Sequence, residues 1–304
     1  MNVLSLFDGI SCGRIALERA GIKVDKYYAS EIKKFAIKCS KENYPEIIQV
    51  GDITKIHYKN GILYTESGEM NIGKVDMIIG GSPCQNFSSA RILSNKEIDG
   101  LKGDKSKLFY EFLRLLKEIN PKYFLLENVR MKKESYEQLN SYLGVKGINI
   151  NSNLVSFQNR DRYYWTNIPN VTLPKDKQLN FQDYIDKDSE YCKQFKVKRT
   201  PSRERMWNNG IKETISNCIN ITNAKKIGCL TRKQDRCPNS GLISFEDFCR
   251  YLTRREIELA QTLPLGYTDC LSYLQMQDVC GEGWTVDVIA HIFSFLPDEY
   301  KIKE

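Results

Sequence analysis

A chain of 304 residues, 41% hydrophobic and 27% charged, carries enough apolar side chain for one large core or two modest ones and too much for a disordered tail. It has no apolar run of about 18 residues, and the apolar start at residues 3–7 lacks the length and flanks of a signal peptide, so a soluble intracellular protein is expected. The formal net charge is +7, and its whole excess lies in residues 168–245, where 15 Lys plus Arg face 8 Asp plus Glu. Such a stretch suits a polyanion such as nucleic acid, or is a solvated basic surface, and charge alone leaves both open. The ten cysteines form no Cys-x-x-Cys pair and only His57 and His291 could join them, which argues against a zinc site.

In chain order, residues 3–7 are an apolar run closed by Asp8-Gly9, after which Ile15, Ala16, Leu17 and Ala20 recur at helical spacing up to Gly21. This predicts a strand, a tight glycine turn and a helix. Residues 26–30 predict a second strand ending at Glu31, residues 33–43 a helix with Pro45 beyond it, and a third short strand ends near Val50 and Asp52. Between residues 57 and 74, Asn60-Gly61 predicts an inserted hairpin. Residues 75–79 read as a buried strand running into Gly80-Gly81-Ser82-Pro83, residues 108–119 as a helix, and residues 123–126 as a strand ending at Glu127-Asn128.

From residue 169 to 244 periodicity fades while Pro, Asn, Lys and Arg accumulate. Thr253 then caps a helix over residues 254–262, and residues 284–296 form a last apolar helix returning to the first domain. The pattern predicts an α/β fold, a doubly wound and mostly parallel sheet, formed by residues 1–167 plus 246–304, with residues 168–245 as a small inserted domain. In such sheets functional residues sit at the carboxyl ends of strands, where Asp8, Glu31, Asp52, Pro83-Cys84 and Glu127 fall.

The turn Phe7-Asp8-Gly9-Ile10-Ser11-Cys12-Gly13 suits close approach of a ligand to the backbone, but lacks the Lys-Ser/Thr of a P-loop and the full Gly-x-Gly-x-x-Gly pattern. Glu31 stands where nucleotide-binding sheets place the acid that grips a ribose, so a nucleoside-type cofactor without pyrophosphate fits. Cys84, directly after a buried strand, is a candidate nucleophile; a buried structural cysteine is the alternative.

Pro83-Cys84-Gln85, Glu127-Asn128-Val129 and Gln158-Asn159-Arg160-Asp161-Arg162, in this order and at these strand ends, resemble the cytosine carbon-5 DNA methyltransferases. Phe7-Asp8-Gly9 resembles that family's first motif, Arg250-Tyr251-Leu252-Thr253 with Glu256, Gln261, Pro264 and Tyr267 its ninth, and Gly281-Glu282-Gly283-Trp284-Thr285-Val286 its tenth. The stretch left over, residues 168–245, is where the family keeps its variable target-recognition domain. Ile10-Ser11-Cys12, Ser82 in place of a second proline, Asn86 in place of a glycine and the Trp284 version of the tenth motif depart from the commonest bacterial pattern. Asp8-Gly9-Ile10, Gly81-Ser82-Pro83-Cys84 and the Trp284 version look closer to the animal de novo methyltransferases and to phage or prophage enzymes.

The resemblance implies an S-adenosylmethionine-dependent, Rossmann-like fold and sequence-specific DNA (cytosine-5-)-methyltransferase activity, with S-adenosyl-L-homocysteine as product and no metal. Cys84 would attack carbon 6 of the cytosine, Glu127 would serve ring nitrogen 3, Arg162 would hold the carbonyl oxygen, and Arg160 would help organise the pocket. Phe7, Asp8, Gly9, Ile10, Gly13, Glu31, Ile32, Asp52, Ile53, Ser82, Pro83, Glu282 and Trp284 match positions near the cofactor, although Ile32 and Ile53 equally suit a core. Double-stranded DNA with a short specific site would be the partner, its target base flipped out of the stack. Ser88, Lys196, Lys198, Arg199, Arg203, Arg205, Thr231, Arg232, Lys233 and Arg236 are the candidate DNA-binding residues, joined by Lys225 and Lys226 as further phosphate ligands.

By the same resemblance a cognate restriction endonuclease is a conceivable second partner, no membrane is involved, and the place of action is the cytoplasm of a bacterium or phage-infected cell, on the nucleoid. Two alternatives stand beside this expectation. One is a transfer-RNA cytosine-5 methyltransferase of the same fold, against which stands the lack of a Cys-Phe-Thr run. The other is a catalytically silent DNA-binding relative, against which stand Cys84 and Glu127.

Overall fold

The computed structural model describes residues 1–82, 107–201, 203–204, 220–234, 239–245 and 247–302. Strands and helices alternate from the start: β1 (Asn2–Leu6), α1 (Cys12–Arg19), β2 (Lys26–Ser30), α2 (Lys34–Asn43) and β3 (Ile48–Gln49). There follow β4 (His57–Lys59), β5 (Ile62–Thr65), β6 (Gly68–Asn71), β7 (Met77–Gly81), α3 (Lys107–Ile119), β8 (Tyr123–Val129), α4 (Lys133–Leu143), β9 (Ile148–Asn151) and β10 (Asp161–Thr166). The later elements are α5 (Ser189–Lys193), β11 (Ile243–Ser244), β12 (Cys249–Arg250), α6 (Arg254–Ala260), α7 (Tyr273–Glu282) and α8 (Val286–Phe293).

The chain divides into two compact units, Met1–Ile150 with Asp161–Leu173 and Ile289–Glu304, and Asn151–Arg160 with Pro174–Val288. The second unit is larger than the basic segment 168–245, because residues 246–288 cluster with it.

The first unit is built on a seven-stranded sheet of order β3-β2-β1-β7-β8-β10-β9. β1 runs parallel to β2 and to β7, β2 to β3, and β7 to β8, while β10 runs antiparallel to β8. Strand order reverses at β1, so the crevice beyond its carboxyl end is the switch point where sheets of this kind bind ligands. Near-continuous apolar strands are what a sheet covered on both faces requires. Accordingly Leu4, Leu6, Ile78, Leu126 and Trp165 are buried in one cluster with Phe109, Phe112 and Leu115 of α3. Full burial of each such side chain contributes about 2 kcal/mol. A Cβ at Gly80 would stand 3.0 Å from the Leu6 carbonyl oxygen and 3.1 Å from the Phe112 ring, which is why β7 ends in glycine where α3 crosses it.

The inserted hairpin is larger than expected: β4, β5 and β6 form a three-stranded antiparallel sheet. Asn60 and Gly61 turn it with φ of 50° and 83°, the left-handed pair that a tight hairpin turn needs. Arg114 of α3 holds the insertion, donating to the carbonyls of Ile53 (3.2 Å) and Ile56 (2.9 Å) and to Glu118 (2.7 Å), whose other oxygen accepts from the Tyr58 amide. The end of the chain closes on the loop after α1, where the Ile302 amide donates to the Gly21 carbonyl (2.7 Å) and the Lys23 amide to the Tyr300 carbonyl (2.8 Å).

The second unit holds a small apolar cluster of Val197, Leu242 and Cys249 beside a fully buried ion pair, Arg250 with Glu256 at 2.7 and 2.8 Å. Helix α6 begins as expected at Thr253, whose hydroxyl and amide exchange bonds with Glu256 in a capping box, but it stops at Ala260. Helix α7 opens on a second capping box, Ser272 with Gln275. Helix α8 starts at Val286, so Trp284 lies in the turn before it. Among the described residues no helix is long and apolar enough to cross a membrane.

Candidate functional site

The turn after β1 alternates left-handed residues: Phe7, Gly9 and Ser11 have φ of 58°, 60° and 57°. For Phe7 and Ser11 this costs about 1 kcal/mol each, so neighbouring contacts must hold the turn. Asp8 supplies them. Its amide donates to the Ser30 carbonyl (3.1 Å), its carbonyl accepts from the Ser11 amide (3.1 Å), and its carboxylate accepts from the Ser11 hydroxyl and, at 2.7 Å, from the Tyr27 hydroxyl. The Asp8 side chain thus faces the interior, and the turn offers backbone rather than a carboxylate at this position. Burial pushes the Asp8 carboxyl above its ordinary range, and it pushes the Tyr27 phenol up as well. Nothing lies within 4 Å of where a Cβ of Gly9 would be, which leaves room for a ligand against the backbone.

Glu31, just beyond β2, accepts from the Gly9 amide (2.8 Å) with one oxygen and from the Ile32 (2.8 Å) and Lys33 (2.9 Å) amides with the other. It therefore braces the β1 turn against the end of β2. Ile32 is 69% exposed. Asp52, beyond β3, accepts from the amide and hydroxyl of Thr54, both at 2.9 Å. Ile10 and Ile53 are buried, and Ile53 belongs to the main core cluster. Phe7 is half-buried and packs against that cluster, and Gly13 is buried within α1.

At the ends of β7 and β8, buried Ser82 is held by Asn128, whose side-chain amide donates to its hydroxyl (3.1 Å) and carbonyl (3.4 Å). One residue earlier, Glu127 lies opposite Gly81 on β7 and opposite Tyr164 on β10. Arg162, near the start of antiparallel β10, reaches it with Nε 3.0 Å from Oε1. Pro83, Cys84 and Ser88 lie outside the described residues, as do Arg205 and Arg236. Asn128 was not among the expected site residues, although it sits in the quoted Glu-Asn-Val motif.

In the second unit Arg160 is buried, and its guanidinium donates to the carbonyls of Leu230 (2.9 Å), Gly281 (3.1 Å) and Gly283 (2.8 Å). Gln158 accepts from the Leu230 amide (2.8 Å) and donates to the Ala260 carbonyl (3.0 Å) and the Gln261 side chain (3.2 Å). Gln261 also accepts from Thr285 (2.9 Å), whose hydroxyl in turn accepts from Ser152 (2.8 Å). This network pins both backbone groups of Leu230 to the segment 281–285.

Most of the expected DNA-facing residues that are described lie on the surface of this unit, with Lys196, Lys198, Arg199 and Lys233 exposed and Arg203 half-buried. Arg199 is paired with Glu204 at 3.4 Å, and Arg232 is exposed as well. Arg232 is paired with Asp278 and, at 2.8 Å, with Glu282, itself an expected cofactor neighbour. The Thr231 hydroxyl accepts from Gln234 (2.8 Å) and Asn239 (3.0 Å). Lys226 donates to the carbonyls of Asn153 (2.8 Å) and Ser156 (3.0 Å) within the same unit. Among the described residues no group of His, Cys, Asp or Glu is arranged to hold a metal ion.

This sheet order, with a glycine turn after β1 and an antiparallel strand beside β8, is a Rossmann-like α/β fold. The Entamoeba histolytica methyltransferase EhMeth superposes with a TM-score of 0.72 at 18% identity, over 99% of both chains. The model of the C-5 cytosine-specific DNA methylase family matches residues 1–297, and the chain belongs to that family. Relatives include an orphan methyltransferase of Bacillus phage rho11s, 28% identical over 215 residues, which are 65% of this chain and 39% of the relative. A type II methyltransferase of Lactococcus lactis subsp. cremoris is 39% identical over 132 residues, 43% of this chain and 29% of the relative. The matches span well under half the length of these relatives.

Proposed function

We propose that the chain is a DNA (cytosine-5)-methyltransferase that acts on a cytosine flipped out of duplex DNA. The observation that carries this reading is the Glu127–Arg162 pair at the carboxyl end of β8, next to an Asn128 that holds Ser82, two residues before Cys84. Cytosine carbon 5 is a poor nucleophile and must be activated by adding a thiolate to carbon 6. Cys84 forms that sulfur–carbon bond, and electron density moves from the ring double bond toward nitrogen 3. Glu127 meets that nitrogen with a proton or a strong hydrogen bond, and Arg162 steadies both the carboxylate and the base carbonyl oxygen. Once carbon 5 carries the methyl group, its proton passes to solvent water, the electron pair re-forms the ring double bond, and the sulfur–carbon bond breaks to release the Cys84 thiolate.

S-adenosylmethionine supplies the electrophilic methyl group when bound. The residues present fit it: open space beside Gly9 lets its backbone be approached, Ile32 offers an exposed apolar side chain, and Glu31 and Asp52 offer carboxylates at adjacent strand ends. Phe7 would meet the adenine, Glu31 the ribose hydroxyls and Asp52 the adenine amino group. The basic segment, through Lys196, Lys198, Arg199 and Lys233, would hold phosphates while target bases are read nearby.

Bisulfite sequencing of plasmid DNA from cells expressing the chain or its Cys84→Ala variant tests this. Protected cytosines at one short motif, present only with the unaltered chain, are the expected result. An absence of protected cytosines despite a folded, well-expressed chain overturns it, and label transferred to transfer RNA instead of DNA would favour the RNA-directed alternative.

A further inference from the structure

We propose that Tyr27 is a positioning residue for the cofactor, acting through Asp8 on the turn after β1; this rests on the methyltransferase reading above. Tyr27 is 2% exposed, in the second position of β2, so its side chain is shut away from any ligand in the crevice beyond the strands. Its hydroxyl nevertheless donates to the Asp8 carboxylate, 2.7 Å away, with the Ser5 side chain bonded to both groups. Ser11 holds the other oxygen of the same carboxylate and is bonded in turn to Ser40 of α2.

The position of Asp8 gives this contact its meaning. Asp8 lies between Phe7 and Gly9 and bonds to Ser11, and all of these three neighbours are in the left-handed region. A non-glycine residue leaves that region when released, because its Cβ crowds the following carbonyl. Relaxation at Phe7 or Ser11 would swing the Gly9 amide away from Glu31, which accepts from it at 2.8 Å. A tether therefore runs from Tyr27 through Asp8 to the Gly9 backbone and Glu31, and it sets how the glycine turn and the acid beyond β2 face one another. A phenylalanine at position 27 would pack the same core equally well, so core packing does not account for the hydroxyl.

The test is a double-mutant cycle read by calorimetric binding of S-adenosyl-L-homocysteine to the full chain, its Tyr27→Phe and Asp8→Ala variants, and the combination. Tyr27→Phe is expected to weaken binding about tenfold, the size of one lost hydrogen bond to a buried carboxylate, and to raise the KM for the cofactor while kcat at saturation stays within about twofold. Because Tyr27 acts through Asp8, the double variant is expected to bind no more weakly than Asp8→Ala alone. Asp8→Leu, which likewise offers no acceptor, replaces Asp8→Ala in the cycle if the latter does not fold. Unchanged affinity in Tyr27→Phe, or losses that simply add, overturns the proposal. Failure of the unaltered chain to bind the probe overturns the methyltransferase reading itself.

Discussion

Arg162 Nε stands 3.0 Å from Glu127 Oε1, with the two side chains only 14% and 10% exposed. The contact follows from strand direction: because β10 runs antiparallel to β8, its first residues return to the carboxyl end of β8, with Arg162 opposite Val129. In a site so little exposed, a carboxylate and a guanidinium act at low effective dielectric and hold each other in register. Glu127→Gln keeps the shape and removes the acid. Methyl transfer should fall by about 10²- to 10⁴-fold, the range of a lost general acid, with cofactor affinity unchanged. Single-turnover transfer to a DNA duplex checks this, and a rate near that of the unaltered chain would assign Glu127 a structural role.

Arg160 belongs to the same Gln-x-Arg-x-Arg run but sits in a different structural context. Its guanidinium serves the carbonyls of Leu230, Gly281 and Gly283, and truncation would leave these acceptors short of a donor. With a cost of about 1–3 kcal/mol for each buried group left unsatisfied, Arg160→Ala should destabilise the second unit severely, and Arg160→Lys should recover little, since one ammonium cannot span the set. Hydrogen exchange at the Leu230 amide is the measurement. Unaltered protection in Arg160→Ala would show that Gln158 holds the loop alone. Gly281→Ala should act on the same contact, because its Cβ would meet the Thr231 carbonyl carbon at 2.4 Å.

The parallel half of the sheet was legible because its strands are short, largely apolar runs that end in turn or acidic residues: residues 3–7, 26–30 and 75–79 fall close to β1, β2 and β7. What periodicity missed was β10, whose sequence Asp-Arg-Tyr-Tyr-Trp-Thr alternates poorly and draws its partner from a strand over thirty residues earlier. Helix α4 was missed for a similar reason, since of its eleven residues only Leu139 and Leu143 are buried. The Ser272/Gln275 capping box before α7, by contrast, was readable and passed over. For the candidate site, motif resemblance singled out Glu127 and Arg162, which the fold pairs, but could not distinguish Arg162, beside a carboxylate, from Arg160, locked onto carbonyls. Nor could it show that the Asp8 carboxylate points inward, since that depends on a tyrosine from the neighbouring strand.

Arg232 and Lys233 are adjacent in the chain and should behave oppositely in DNA binding. Arg232 is already neutralised by Asp278 and Glu282, whereas Lys233 is exposed in the same loop. Each cation that displaces a counterion from DNA adds about one unit to the slope of log affinity against log salt. Lys233→Gln and Lys198→Gln should each flatten that slope by about one, and Arg232→Gln should leave it nearly unchanged. Fluorescence anisotropy across a salt series decides. A full unit lost in Arg232→Gln would mean that its carboxylate partners release it when DNA binds.

The buried Asp8 carboxyl makes stability depend on pH in a direction opposite to that of most carboxylates. Burial, helped by the nearby Glu31 charge, raises its pKa above the ordinary 3.8 despite the Ser11, Ser5 and Tyr27 donors, so the folded chain holds this proton more tightly than the unfolded one. Its contribution is then fully present below the unfolded value and is lost as pH rises through the raised folded value. Asp8→Asn carries no such proton, and every other titrating group is common to both chains. The unaltered chain should therefore lose thermal stability relative to Asp8→Asn as pH climbs from about 4, and the difference should level off once Asp8 is ionised. Melting temperatures of both chains from about pH 4 to about pH 8 give the comparison, and curves that stay parallel across that window would mean the Asp8 carboxylate is as well solvated by its donors as it is by water.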